Sequence, residues 1–240
     1  MARRRFFVPE VHKGKALING DDARHLTRVL RVEVGQRYEI SDGESVYLAE
    51  VAAARKDLVE FGVVQEIPLA AKLVNVTLLA SLIKFDHFEL IIEKATELGV
   101  TEIVPVIATR TEVGLEKAVP KRMERWQRIA VEASQQSRRD RLPKLRQAIQ
   151  FGDALGWTSQ QRYWLDEDPG GASLSKALPD NRSVDDSVAL LIGPEGGWTD
   201  PERDTALNKE WTRIWLGPQI LRAETAAIAS LAVIMSAWQR

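Results

Sequence analysis

The sequence predicts an α/β protein in two parts, a small β-rich domain followed by a larger domain with a mostly parallel sheet covered by helices. Three observations carry this. Up to about Ile67 the apolar residues come in short runs separated by turn residues. Beyond that point continuous apolar runs alternate with amphipathic helical segments, as in a parallel sheet buried on both faces. Between the two patterns lie Ile67, Pro68 and the Ala70, Ala71, Lys72 stretch, which read as a linker, so residues 1–70 and 73–240 are taken as the two domains.

In the first part, strands are expected at Phe6 to Val8, Ala16 to Ile18, Tyr38 to Ile40, Val46 to Val51 and Leu58 to Val64, with Gly14, Gly20, Gly35, Asp42 and Gly43 in the turns. One helix interrupts them. In Asp21 to Leu30 the spacing sets Ala23, Leu26, Val29 and Leu30 on one face, with His25, Arg28 and Arg31 around the other. In the second part, strands are read at Val74 to Ala80, Ile103 to Ile107, Tyr163 to Leu165, Val188 to Ile192 and Arg213 to Leu216. Phe88, Ile91, Ile92, Ala95 and Leu98 recur at helical spacing and Gly99 ends the turn; Met123 to Gln136 repeats the pattern with Trp126, Ile129, Ala130 and Ala133. The last helix, about Ala223 to Trp238, is apolar on more than one side, which fits either burial or a subunit interface.

With 45% hydrophobic and 28% charged residues the composition is that of a soluble globular protein, and no apolar run reaches the roughly 18 residues of a membrane span. The amino-terminal MARRRFFVPE lacks the apolar core of an export signal. The absence of cysteine removes disulfides, thiolate zinc sites and thiol catalysis, and fits a reducing cytoplasm. A net charge of −1 hides strong segregation. Residues 1–31 carry eight Lys/Arg against three acids, and residues 121–147 nine against three, while residues 166–186 hold six acids against two bases. Such segregation suits either a polyanionic partner or solvated helix faces.

Two loops carry the chemistry. Gly193, Pro194, Glu195, Gly196 and Gly197 lie directly after the Val188 to Ile192 run and before a helix opened by Thr199, Asp200, Pro201 and Glu202. In an open α/β sheet ligands bind beyond the carboxyl ends of strands, and glycines let them approach the backbone. No Lys-Ser or Lys-Thr follows at phosphate-loop spacing, the order is not GxGxxG, and Glu195 would repel an anion. Leu216 to Ala226, LGPQILRAETA, repeats the arrangement after the next strand, with Gly217 and Pro218 in a turn and Ile220 and Leu221 as an apolar wall. The two strand ends together suit an adenosine-like ligand, and a cationic cofactor would tolerate Glu195 and Glu224.

GPEGGWTDPE, LGPQILRAETA, EKATELGVTEIVPV and the amino-terminal RRFF and HLTRVLRVEVGQ segments, in the family's order over essentially the whole chain, resemble the 16S rRNA uracil-N3 methyltransferases of the SPOUT class. Where that family often has Arg before the ILR triplet, this chain has Gln219. The resemblance implies a PUA-like β-barrel domain followed by a trefoil-knotted SPOUT α/β domain, a homodimer, and S-adenosylmethionine bound in the knot. It implies a cofactor site of Leu191, Ile192, Gly193, Glu195, Gly196, Gly197, Leu216, Gly217, Ile220, Leu221 and Ala226. Arg222 is the first choice for a group touching the base or its phosphate, with a salt bridge to Glu224 or Glu195 as the alternative; Glu195 is the nearest carboxylate candidate for the base, with fixing its own loop through backbone N–H groups as the favoured task.

Methylation at N3 removes an imide proton while the uracil carbonyl oxygens gain negative charge, so positioned donors should help. The general base is left open. His12, His25 and His87 lie outside the carboxy-terminal motifs, so no histidine base is expected, and no His/Asp/Glu spacing suggests a metal. The 16S rRNA, free or in the small subunit, is assigned to Arg3, Arg4, Arg5, Arg28 and Arg31 in the first domain and to Lys84, Lys94, Arg138 and Arg139 in the second. Other readings are a SPOUT enzyme acting on a ribose hydroxyl or a guanine, and a non-catalytic RNA-binding assembly factor.

Overall fold

The computed structural model describes residues 4–168 and 170–239. The chain forms two compact units: one runs to Ala71 and takes in Ser134–Leu142, and the other holds Lys72–Ala133 and the chain from Pro143 onward.

The first unit is a five-stranded sheet of β1 (Arg5–Phe7), β2 (Lys15–Asn19), β3 (Arg37–Ser41), β4 (Val46–Arg55) and β5 (Leu58–Ile67), in the order β1-β3-β4-β5-β2. Only the β1–β3 pairing is parallel. Register shifts at Leu48/Ala49 and Val51/Ala53 bend the long β4–β5 ribbon. The sheet curls until Phe6 of β1 and Ile18 of β2, on its opposite edges, share one core with Ile40, Val51, Val59 and Phe61. The helix after β2 starts as α1 (Gly20–Arg24) and continues as a π turn over His25–Val29. The wider turn shifts the helical phase, so Ala23 and Leu26 stay buried while Val29, expected on the same face, is 64% exposed.

Arg5 is 6% exposed and is fixed within this unit. Its Nε and Nη2 donate to Glu39 Oε2 at 3.1 and 2.9 Å, and Nη1 donates to the Arg138 carbonyl and to Asp140. Arg138 in turn pairs with Glu39, and the Ser41 hydroxyl donates to the Asp140 carbonyl. The basic Ser134–Leu142 segment is thus stitched to β1 and β3 by side chains that composition alone assigns to solvent.

The second unit holds β6 (Asn75–Ser81), α2 (Phe85–Glu97), β7 (Glu102–Ile107), α3 (Leu115–Gln136), β8 (Lys144–Leu145), β9 (Ile149–Gln150), α4 (Phe151–Leu155), β10 (Gln161–Leu165), β11 (Ala172–Ser173), α5 (Leu174–Ala177), β12 (Ser187–Ile192), α6 (Asp200–Asn208), β13 (Thr212–Trp215) and α7 (Ala223–Trp238). Every strand pairing is parallel, in the order β11-β13-β10-β12-β6-β7-β8, with β9 also on β7. One face carries α2, α3 and α7 around Phe88, Trp126, Leu190 and Leu231, and the other an aromatic cluster of Trp164, Trp198 and Trp211 with Leu191. The five expected strands of this unit occur within one or two residues of their predicted ends. α3 begins eight residues before the expected Met123 and runs through Pro120, which has no N–H to give to the Glu116 carbonyl. Among the described residues no helix is long and apolar enough to cross a membrane.

Candidate active site

Because β13, β10 and β12 are neighbours and parallel, the loops that leave their carboxyl ends meet at one edge of the sheet. They enclose a cleft of about 550 Å³, counting space open to solvent. Leu165, Ile192, Leu216, Ile220 and Leu221 form its apolar walls; Gly193, Gly197 and Trp198 line it from the glycine loop, and Ala223 and Ala226 from the start of α7. Of the residues expected at a cofactor site, Ile192, Gly193, Gly197, Leu216, Gly217, Ile220, Leu221 and Ala226 line this cleft.

Three other predictions need correcting. The Leu191 side chain points to the opposite face, into the aromatic cluster, because side chains alternate along β12 and Ile192 takes the cleft side. Gly196 does not line the cleft: its carbonyl accepts from Arg110 Nη1 at 2.7 Å and the Arg110 chain lies against it. Glu195 is likewise absent from the lining and faces His87 instead. The sequence reading also missed Leu165, Asp166 and Glu167, which enter from the loop after β10. The same strand-end rule that singled out the other two loops applies to them, but their acids read as charge balance.

The cleft is braced from beneath. The Trp198 indole is buried, its Nε1 donates to the Leu165 carbonyl at 2.8 Å, and a Cβ at Gly193 would lie 3.0 Å from the ring. Gly197 has φ +69°, a backbone conformation that favours glycine; a Cβ there would sit 2.7 Å from Glu167 Oε1, the movable end of a half-exposed side chain. Asp166, its side chain fully buried, receives Arg203 Nε and Nη2 at 3.0 and 3.2 Å and pairs with Arg213 Nη2 at 2.7 Å. Arg213 also holds Asp168, whose carboxyl stays below its ordinary range through that guanidinium and the Gly170 N–H.

Thr199 caps α6 in a reciprocal box. Its hydroxyl accepts from the Glu202 N–H at 3.4 Å, and Glu202 Oε2 accepts from the Thr199 N–H at 2.9 Å. Burial pushes the Glu202 carboxyl up, but the N–H groups of Thr109 and Thr199 and the Thr199 hydroxyl together hold it below its ordinary value.

Beside the cleft three ionisable side chains converge. His87 Nδ1 is 3.5 Å from Glu195 Oε1 and 3.6 Å from Glu224 Oε1. His87, outside the carboxy-terminal motifs in sequence, thus stands beside them in space. His87 opens α2, and α2 follows β6, which lies against β12 in the sheet. Sequence distance hid that adjacency. Arg222 is exposed between two lining residues, Leu221 and Ala223. Glu195 and Glu224 both face His87, and among the described residues Arg222 makes no ion pair with either, so the salt-bridge alternative is not the observed arrangement.

The predicted RNA contacts divide in two. Arg4, Arg28, Arg31 and Lys84 are exposed. Arg5 is buried in its ion pairs, Arg138 is held by Glu39, and Lys94 is bracketed by Glu93 and Glu97 at 2.7 and 2.8 Å. Loss of hydration pulls the half-buried Arg139 down to about 10. These four have partners within the protein, Arg138 while remaining exposed itself. Arg3 lies outside the described residues. Among the described residues no group of three or more His, Cys, Asp or Glu could hold a metal ion.

A family model described as an RNA methyltransferase domain matches residues 70–235, and one described as an RNA methyltransferase PUA domain matches residues 18–64. The chain is 34% identical to a ribosomal RNA small subunit methyltransferase E of Synechocystis, over 98% of this chain and 77% of the relative. To the protein of that name from Bacillus subtilis it is 30% identical, over 90% and 88%. A crystal structure of the Neisseria gonorrhoeae ribosomal RNA small subunit methyltransferase E bound to S-adenosylmethionine is similar at 29% identity and TM-score 0.87, covering 99% of this chain and 98% of that one. A Legionella pneumophila methyltransferase with the same bound cofactor is similar at 26% identity and TM-score 0.89, again over 99% and 98%.

Proposed function

The chain belongs to the RNA methyltransferase family, with its PUA domain preceding the methyltransferase domain, and from that premise we propose that it methylates N3 of one uridine in 16S rRNA using S-adenosylmethionine. The observation that carries the reading is the strand-end cleft, which belongs to a fold that its relatives share while holding that cofactor.

The residues fit such a group. Apolar walls from three loops suit an adenine ring, bare backbone at Gly193 and Gly197 offers close polar contacts, and Glu167 at the rim favours a cation over an anion. When bound, S-adenosylmethionine supplies an electrophilic methyl group on a sulfonium. We read the segment from β10 through α7 as the trefoil knot of this class, with Ile192, Gly193, Gly197, Leu216 and Leu221 holding the cofactor. Arg222, exposed at the mouth, donates to uracil carbonyl oxygens as they gain charge on loss of the N3 proton. Arg4, Arg28 and Arg31 with Lys84 meet phosphates. On this reading a second copy packs on α7, where Ala232 and Val233 are exposed, and a cytoplasmic location follows from an rRNA substrate.

Nucleoside mass spectrometry tests this directly. rRNA and small subunits from a strain lacking the modification are incubated with purified protein and S-adenosylmethionine. One new N3-methyluridine is expected in the small-subunit RNA. A methyl group on ribose or guanine would overturn the base specificity, and no methyl group on either substrate would favour a non-catalytic RNA-binding factor.

A further inference from the structure

We propose that His87 is a positioning residue whose protonated imidazole ties the glycine loop to the first turn of α7 through Glu195 and Glu224. The inference rests on reading the neighbouring cleft as the S-adenosylmethionine site.

A single nitrogen carries at most one hydrogen, yet His87 Nδ1 faces two carboxylates at nearly equal distances, 3.5 and 3.6 Å, beyond a good hydrogen bond to either. The attraction is therefore that of a charge lying between two opposite charges. Nδ1 is buried and without a hydrogen-bond partner, as is Glu224 Oε2, and the Glu224 side chain is only 9% exposed. With a neutral imidazole, the buried Glu224 carboxylate would face the partly exposed Glu195 with no charge between them. A protonated one compensates both. Among the described residues the carboxylates within 4 Å of His87 are the exposed Asp86 from its own helix, 3.7 Å from Nε2, Glu195 from the loop and Glu224 from α7. The amino-terminal end of α2 opposes a cation here, but three acids outweigh one helix terminus.

The two carboxylates stand on the pieces that shape the cleft. Glu195 lies between Gly193 and Gly197, and Glu224 between Ala223 and Ala226; all four flanking residues line it. His87 touches none of the lining itself and acts through these neighbours. Imidazole is the side chain whose charge is switched most readily by mild changes of pH, so pH probes the tie without altering the chain.

Calorimetry of S-adenosylmethionine binding to the full chain at about pH 6 and about pH 8.5 tests this, with circular dichroism confirming that each variant is folded. The wild-type Kd should rise about tenfold between the two pH values, the worth of one charge-assisted contact. His87→Lys, which keeps its charge, should bind tightly at both, and His87→Gln should bind weakly at both. A His87→Gln variant that matches wild type, or a His87→Lys variant that keeps the pH dependence, overturns the proposal. Should His87→Gln not fold, Glu224→Gln takes its place and should abolish the pH dependence; an unchanged dependence counts against the proposal. If wild type binds no cofactor at either pH, the cleft reading falls instead. The tie is then read by hydrogen exchange over residues 193–199 and 223–227, where lower protection in His87→Gln restored in His87→Lys supports it, and equal protection in all three overturns it.

Discussion

At the scale of single residues, the cleft separates binding from chemistry. Gly197→Ala places a methyl group where φ is +69°; Glu167 Oε1, 2.7 Å away, can swing aside, but the backbone is strained. The variant should lose at least about tenfold in cofactor affinity, since a strained backbone position costs on the order of 1–3 kcal/mol. Arg222→Ala should instead bind cofactor normally and turn over about 10²-fold more slowly, the usual cost of removing one donor to a developing anion. Calorimetry and single-turnover kinetics on both variants check the pair; an Arg222→Ala enzyme with full turnover would remove that residue from the chemistry. At this scale the sequence showed which glycines matter but not where their neighbours point. Glu195 is conspicuous within a glycine loop, whereas its companion His87 comes more than a hundred residues earlier and nothing local marks it.

At the scale of elements, the capping box of α6 positions the far end of the glycine loop, and Thr199→Ala should cost about 1 kcal/mol of stability. Glu202 adds a pH dependence with a defined sign. Its folded carboxyl lies below the unfolded value of 4.5, so its contribution is present above that value and is lost as pH falls through the lower folded one. Thermal melts from neutral to acidic pH should show a steeper acid loss in wild type than in Glu202→Gln; parallel curves would mean the box does not favour the charged form. The long strands and helices were legible because their apolar period is unambiguous. The missed elements have physical reasons. β8, β9 and β11 are two residues each, too short to show a period, and Pro120 masks the start of α3. The π turn after α1 breaks the 3.6-residue spacing that had put Val29 inside.

At the scale of the whole molecule, charge segregation was legible but its use was not. In the basic blocks Arg5, Arg138 and Arg139 have partners within the protein, as does Lys94 outside them, while Arg4, Arg28 and Arg31, with Lys84, are exposed. Replacing Arg28 and Arg31 together by Glu should weaken rRNA binding and reduce its dependence on log salt by about one to two units, with cofactor affinity unchanged. Filter binding over a salt series measures this, and an unchanged slope would move the RNA to another surface. Strand order was equally hidden. Hydrophobic runs identify buried strands but carry no information on which neighbour each one takes.

That order has a kinetic consequence. The central pairing, β6 beside β12, joins Asn75 to Ser187 and Ile192 to Ala80, so nearly half the chain must be gathered before the sheet closes. Contacts this distant cost loop entropy before they repay it, and parallel pairings are slow to form. The cleft beyond β12, and the meeting of His87 with the glycine loop, exist only after that closure. Helices can therefore be complete in a refolding chain that has no ligand site, and the ability to bind marks the end of folding where helical content does not.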